Sequence, residues 1–569
     1  MISRLASTST RSIHLYRSPP LVLRNLGGTL RQQPMSDPEP PVKRQRTENP
    51  SRPQKKHKFP SKRQKRKLAL NSLPEPCSHE DILWQEIKDI LGEQYVETAL
   101  KNASDRDAPF EKYDHIDVQV VALSSTGTAL ATCEAAARPW VVVFPFGLPG
   151  ETIRVKVYQN GRLHSLGDFV EVLKPNPDLR DESRVQCQYF GKCGGCQYQM
   201  LSYEKQLEFK RDVVVKAYEK FSHLPGSAIP PIESTMPSPL QYGYRTKITP
   251  HFEAPHDKQR NDPDNPKNDV DRPAWFKIGM NEAGSQRLVD IEDCQIASPT
   301  IREALPKLRA NVIKNLYSYK RGVSLILRES LPIPASNVDV LADSLDKVCI
   351  TDHRGTVREK VGSWLFEYPA SSFFQNNNAV LLSLTSYVES RIFADPAYKP
   401  THLVDAYCGA GLFAITLSPR FEKVAGIELS SESIRAATRN AVTLNNIPES
   451  KISFRAGDAK DIFAVVQDFP RPNSVLVIDP PRKGCDESFI EQMLTFRAKT
   501  VVYVSCNVHT QARDIGIILK RSERDGSGRY VMETLRGFDL FPQTAHVESV
   551  AVLRWVDTEQ SDKTITQVQ

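Results

Sequence analysis

The sequence predicts an α/β protein: a doubly wound parallel sheet in its C-terminal part, a small β-barrel upstream, and a mixed α+β middle region carrying a cysteine cluster. Three observations predict this. From residue 371 onward, apolar β runs alternate with helical periodicity, the pattern of a parallel sheet with helices on both faces. Within 113–174, short β runs are separated by turn residues, as in a five-stranded barrel. At Cys187, Cys193 and Cys196, three thiols and three glycines share ten residues, which reads as a metal-ligand loop. A chain of 569 residues also exceeds the size of one ordinary domain.

The first expected segment, 1–34, carries Arg4, Arg11, Arg17, Arg24 and Arg31 among Leu, Ser and Thr with no acid, a mitochondrial-type targeting composition. Residues 35–78 form a basic, Pro-rich arm expected to be disordered; its Lys/Arg clusters read as nuclear localisation or RNA contact. Met35 offers a second start, so a mitochondrial product from Met1 and a nuclear or cytoplasmic one from Met35 are expected. The net charge of +7 is unevenly spread. Residues 1–36 contribute +5, 37–42 contribute −2 and 43–67 contribute +11, leaving −7 for the remainder. RNA binding by the folded body therefore needs local basic patches rather than a global field. No run of eighteen apolar residues suggests a membrane span, and ten cysteines in a chain this long do not suggest a secreted disulfide framework.

A helical linker is expected over 79–112, with its helix near Glu80 to Leu91, then the barrel at 113–174. The middle region, 175–370, contains a polar insertion at 253–272. The parallel sheet spans 371–557, with strands expected at Leu403–Tyr407, Val424–Leu429, Ile452–Arg455, Val475–Ile478, Val501–Ser505 and Val550–Trp555. A polar tail, 558–569, follows.

Strand ends carry the chemistry, because ligands of open α/β sheets sit beyond the carboxyl ends of the strands. Asp405-Ala-Tyr407-Cys-Gly409-Ala-Gly411 ends one strand and opens a helix, its glycines allowing close backbone approach to a ligand. The next strand ends at Glu428, placed to accept from ribose hydroxyls, and a third at Asp458, placed to accept from an adenine amine. This succession is the arrangement used to hold S-adenosylmethionine. The fourth strand ends at Asp479-Pro-Pro-Arg482; an Arg there in place of Tyr argues against methylation of an exocyclic amine.

The fifth strand ends at Ser505-Cys506-Asn507, pointing Cys506 into the same crevice. C5 of a pyrimidine is too weak a nucleophile to take a methyl group directly. A thiolate adding to C6 creates an enolate whose C5 can attack the sulfonium methyl, and a thiolate is the better nucleophile than an alkoxide near neutral pH. A base must then remove the C5 proton. Glu548 is the first choice, with His546 and Asp539 as rivals. The upstream Cys187, Cys193 and Cys196 need a fourth ligand; Cys294 is the best placed in sequence, and zinc and an iron–sulfur cluster both suit such a set.

Residues 371–556 resemble the catalytic domain of the RNA uracil-C5 methyltransferase family through Ser372-Phe-Phe-Gln375-Asn-Asn, Asp405-Ala-Tyr-Cys-Gly-Ala-Gly, Asp479-Pro-Pro-Arg, Ser505-Cys-Asn507 and Phe541-Pro-Gln-Thr-Ala-His-Val-Glu548. The resemblance implies a Rossmann-like class I methyltransferase domain with Gln375, Tyr407, Glu428, Asp458 and Asp479 lining the donor and base site, Cys506 as nucleophile and Glu548 as base. It also implies that 113–173 is a TRAM-type RNA-binding barrel, that Tyr244-Arg245 belongs to a family segment, and that Cys187, Cys193, Cys196 and Cys294 hold a [4Fe–4S] cluster. The implied partner is tRNA, methylated at uracil-54 of the T loop after the base is flipped out; no membrane or obligate protein partner is indicated. Ribosomal RNA as substrate, a tRNA-binding or folding protein with secondary activity, and methylation of cytosine C5 are the alternatives weighed. A scaffold would be free to lose Cys506, Glu548 or the glycine turn, and a cytosine enzyme usually places its Cys after Pro.

Overall fold

The computed structural model describes residues 74–256, 272–333, 346–457, 463, 466–524 and 526–558. The targeting segment, the basic arm up to 73, most of the polar insertion, Asp458 and the tail from 559 lie outside the described residues. Among the described residues no helix is long and apolar enough to cross a membrane.

The helix His79–Leu91 begins where Ser78 caps it by accepting from the Asp81 amide at 3.2 Å, which satisfies an orphan donor of the first turn. Its buried Trp84 and Ile87 join the core of the barrel, so the expected linker packs against the barrel. The barrel consists of β1 (His115–Leu123), β2 (Ala129–Thr132), β3 (Val141–Phe144), β4 (Thr152–Asn160) and β5 (His164–Lys174), closed in the order β1-β2-β3-β5-β4. Alternate residues Ile153, Val155 and Val157 of β4 point inward, as strand periodicity requires. Closure leaves the barrel no free edge.

The middle region begins with the cysteine loop and the helix Tyr203–Phe221, then β6 (Glu233–Met236). Short strands follow: β7 (Lys247–Ile248), β8 (His251–Phe252), β9 (Gly279–Asn281), β10 (Leu288–Asp290), β11 (Val323–Ser324), β12 (Leu327–Ser330) and β13 (Val348–Ile350). They form a four-stranded sheet, β10-β9-β8-β11, and a three-stranded one, β13-β12-β7. The hairpin β14 (Thr356–Val361) and β15 (Trp364–Pro369) completes the region.

The large sheet comprises β16 (His402–Ala406), β17 (Lys423–Glu428), β18 (Ile452–Ala456), β19 (Ser474–Ile478), β20 (Thr500–Ser505), β21 (Gly528–Phe538) and β22 (Glu548–Asp557), with β6 as an eighth strand. Its order is β18-β17-β16-β19-β20-β22-β21-β6, and β22 alone runs antiparallel to its neighbours. Strands β19 and β20 are buried along their whole length, as central strands covered on both faces must be. Separate apolar clusters flank the sheet, one around Val214, Leu476 and Phe489, the other around Leu384, Phe413 and Val502. Fully burying each such side chain contributes about 1.5–3 kcal/mol.

All six expected strands are present within a residue or two of their expected ends. The sequence pattern missed β21 and β6. β6 comes from upstream of residue 371, so the large sheet draws on the middle region. The helix Tyr203–Phe221 also meets the helix Val508–Ser522 so tightly that a Cβ on Gly516 would lie 1.9 Å from the Ser222 carbonyl oxygen.

Candidate active site

At the end of β16 the chain turns through three left-handed residues, Tyr407 (φ 64°), Gly409 (φ 54°) and Gly411 (φ 93°). A Cβ on Gly409 would touch nothing within 4 Å, so packing does not require this glycine; its positive φ and an open face do. Gly411 sits at the start of the helix Leu412–Leu417. Tyr407 pays for its strained backbone by packing its ring on Phe489, with centroids 5.2 Å apart. Asp405 steadies the turn: its Oδ2 accepts from the Ala414 amide at 2.8 Å, while Oδ1 is buried without a partner. Burial pushes this carboxyl up to about 7.

Glu428 ends β17 beside the glycine turn. Its Oε2 accepts from the Gly409 amide at 3.4 Å and its Oε1 from the Ser430 amide at 2.9 Å. Leu429, the next residue, is 75% exposed. The structure therefore brings Tyr407, Gly409, Gly411 and Glu428 together at adjacent strand ends.

Asp479 follows β19, its amide donating to the Ala406 carbonyl at 3.4 Å. Burial pushes its carboxyl well up, and the charges of Glu548 and Asp405 add to the effect. Cys506, half-buried, follows β20. Burial again leads in pushing the thiol up to about 12, with Glu548 and Asp479 adding and Arg482 opposing. In the site as it stands the thiol is therefore protonated at neutral pH, so ionising it needs a cation or a base brought close. The Arg482 loop is held by the helix that follows Cys506: Asn507 Nδ2 and Thr510 Oγ1 donate to the Arg482 carbonyl at 3.0 and 3.2 Å, and Arg513 donates to that of Lys483 at 2.9 Å. Sequence reasoning passed over Asn507 and Thr510. An Asn directly after a strand and before a helix was the available signal.

Glu548 opens β22 and is 3% exposed. Its Oε2 is buried with no partner, and its Oε1 lies 3.5 Å from His546 Nε2. A buried carboxylate oxygen left unbonded is rare in proteins and calls for an explanation. Asp539, one of the rivals for the base, is fully committed: its Oδ1 meets Lys210 Nζ at 2.5 Å and its Oδ2 accepts from the Tyr203 hydroxyl at 2.9 Å. Gln375 is buried in a segment joined to the same neighbourhood, since Asn377 Nδ2 donates to the Leu540 carbonyl at 3.1 Å. Asp458 lies outside the described residues.

Cys187, Cys193, Cys196 and Cys294 are free thiols lining one cleft of about 540 Å³ that Gln197 and Arg245 also border. Among the described residues no group of three or more Cys, His, Asp or Glu side chains is placed to hold a metal ion, so the expected cluster finds no support in this geometry.

The family model for tRNA (uracil-5-)-methyltransferase matches residues 327–556. The tRNA (uracil(54)-C(5))-methyltransferase of Schizosaccharomyces pombe is 43% identical over 452 residues, covering 78% of this chain and 79% of the relative. That of Saccharomyces cerevisiae is 35% identical over 529 residues, covering 84% and 82%. In fold, the chain resembles the Pyrococcus abyssi tRNA (uracil-54, C5)-methyltransferase in complex with S-adenosyl-L-homocysteine, at a TM-score of 0.53 and 22% identity, over 77% of this chain and 99% of that one.

Proposed function

The chain belongs to the tRNA (uracil-5-)-methyltransferase family, and from that premise we propose that it transfers a methyl group from S-adenosylmethionine to C5 of uracil-54 in the T loop of tRNA. The observation that carries the residue assignment is the meeting of Cys506, Asp479 and a buried, half-unbonded Glu548 at the ends of neighbouring strands. In this reading the Cys506 thiolate adds to C6, and the C5–C6 π electrons move into an enolate. C5 then attacks the sulfonium methyl, and S-adenosylhomocysteine leaves. Glu548 takes the proton from C5, the C5–C6 double bond reforms, and the C6–S bond breaks to return the Cys506 thiolate. Gln375, Tyr407, Gly409, Gly411, Glu428 and Asp479 line the donor and base site, with Asp458 at the donor's adenine.

The test uses tRNA substituted with 5-fluorouracil. Fluorine at C5 blocks the last deprotonation, so a covalent protein–RNA adduct should accumulate with wild type and be absent with Cys506→Ala. A wild type that forms no adduct removes the reading. Labelled methyl transfer to bulk tRNA, compared with ribosomal RNA, checks the substrate; the names of the two fungal relatives support tRNA.

The barrel is read as the TRAM-type RNA-binding element. Supporting this, Tyr113 is 59% exposed, with Lys112 and Lys156 Nζ at 4.8 and 5.5 Å from its ring centroid, an aromatic platform flanked by positive charge. The cysteine cleft is read as the place for a [4Fe–4S] cluster, supported by four thiols lining one cleft; iron quantification and a visible spectrum on anaerobically purified protein test it. The two-product reading of Met1 and Met35, mitochondrial and nuclear or cytoplasmic, rests on composition, and ribosome profiling without initiation at Met35 would count against it.

A further inference from the structure

The segment 539–547 leaves the sheet at Phe538 and returns at Glu548, two residues paired across β21 and β22. Nearly everything that holds this loop comes from upstream of residue 380. Lys210, fully buried on the helix Tyr203–Phe221, spends its three donors on it: Asp539 Oδ1 at 2.5 Å and the carbonyls of Phe541 and His546, both at 2.9 Å. An ammonium has three donors, so Lys210 ties the start of the loop to the residue two before Glu548. Gln206 and Gln543 bond reciprocally, Nε2 to Oε1 at 3.0 Å and the Gln543 amide to Gln206 Oε1 at 2.9 Å. The amides of Gln197 and Tyr198 both donate to the Gln543 carbonyl, at 2.7 and 3.1 Å. The Tyr244 hydroxyl donates to the Pro542 carbonyl at 3.1 Å.

Gln543 needs this support. Its φ of 70° is a strained conformation for a side-chain-bearing residue and persists only where surroundings over-determine it. The loop's path is thus imposed from outside, and its last residues set where His546 and Glu548 stand, 3.5 Å apart. Glu548 itself pairs with Phe538 of β21, so the clamp acts on the approach to the carboxylate.

We infer that Lys210 is a positioning residue for proton removal: through Asp539 and the carbonyls of Phe541 and His546 it clamps the loop that delivers the Glu548 carboxylate, so the middle region takes part in the last chemical step. This rests on the proposed assignment of Glu548 as base. Addition of Cys506 and methyl transfer do not call on Glu548 and should proceed without the clamp.

The experiment compares full-length wild type and Lys210→Met in two assays. With 5-fluorouracil-substituted tRNA, which reports addition and methyl transfer, the variant should form adduct within about twofold of the wild-type rate. With natural tRNA, its single-turnover product release should fall at least tenfold, with a gel-shifted methylated adduct accumulating. Unchanged product release, or equal losses in both assays, overturns the inference; the second outcome would mark Lys210 as a general structural residue. Lys210→Met strands the buried Asp539 carboxylate and can compromise folding. Tyr244→Phe therefore serves as the second variant, removing one tether while keeping the ring. It should slow release three- to tenfold with adduct formation unchanged, and wild-type release would equally overturn the clamp. If wild type forms no fluorouracil adduct, the proposed chemistry fails first and the clamp falls with it.

Discussion

Cys506 and Glu548 continue a single antiparallel register. Ser505 of β20 pairs with Ser549 of β22, so the next residue along one strand and the preceding residue of the other stand across from each other. Directly opposed residues of an antiparallel pair have Cβ atoms about 4.5–5.5 Å apart. Sheet register thus brings the backbones of the proposed nucleophile and base together, while the clamped loop ahead of β22 sets the approach of the carboxylate.

This proximity makes Glu548 an obstacle to thiol ionisation in the free protein. Its charge helps hold Cys506 up at about 12, so removing it lowers the thiol's pKa and raises the thiolate fraction at any fixed pH below that value. Glu548→Gln should therefore be alkylated at Cys506 several-fold faster than wild type by iodoacetamide at pH 8, while its turnover on tRNA falls by about 10²-fold or more, the scale of a lost general base. Mass spectrometry of the Cys506 peptide and a methyl-transfer assay check the two halves.

Asp405 gives a pH signature to stability. Its folded-state carboxyl is raised from 3.8 to about 7, so above pH 4 the unfolded chain releases a proton that the folded one keeps. Stability from this group is full below about pH 4 and is lost as pH rises to about 7. Each unit is worth about 1.4 kcal/mol, so Asp405→Asn, which keeps an acceptor for Ala414, should gain roughly 2–4 kcal/mol at pH 8 and little at pH 4. Urea unfolding at the two pH values measures it. A cationic S-adenosylmethionine bound nearby would relieve part of the same penalty, making its thermal shift of wild type larger at pH 8 than at pH 5.

Asn507 has two duties: its Oδ1 caps the helix Val508–Ser522 by accepting from the His509 amide at 3.2 Å, and its Nδ2 holds the Arg482 carbonyl at 3.0 Å. Asn507→Ala should cost about 1 kcal/mol of stability, the usual loss of such a cap. It should also loosen the loop carrying Arg482, raising KM for tRNA more than KM for S-adenosylmethionine. Steady-state kinetics with each substrate varied in turn separates the two.

Gly516→Ala should be severely destabilising, because the added methyl meets a backbone carbonyl at 1.9 Å that no rotamer can avoid. Overpacking of this kind costs about 1–3 kcal/mol, or more where backbone must shift, and a lowered urea midpoint would show it.

Much of the site was readable because strand ends are. Apolar runs ending in Asp405, Glu428, Asp479 and Cys506 announce both the sheet and the edge where chemistry occurs. What could not be read was long-range pairing. β6 is four residues, Glu-Ser-Thr-Met, with no alternation to distinguish it, and it becomes a strand only because β21 offers it an edge. Asp539 and Glu548 are equivalent carboxylates in sequence; only the burial of Lys210 against one of them separates a structural acid from a free one. Lys210 itself lies in a charged helix, Tyr203–Phe221, where a lysine reads as solvated. For the cysteines, spacing suggested a closed ligand set, whereas the fold guarantees only a shared cleft.

The place of β6 also bears on how the catalytic half can be handled. A fragment beginning at residue 371 would lack the strand that covers β21. It would leave bare the rim of β21 around Arg536 and Phe538, the stretch that β6 pairs, with its amides and carbonyls unpaired. Such a rim invites other copies to add to it, so the fragment would be prone to polymerise through the side where β6 belongs, and protein engineers would do better to cut upstream of Tyr203.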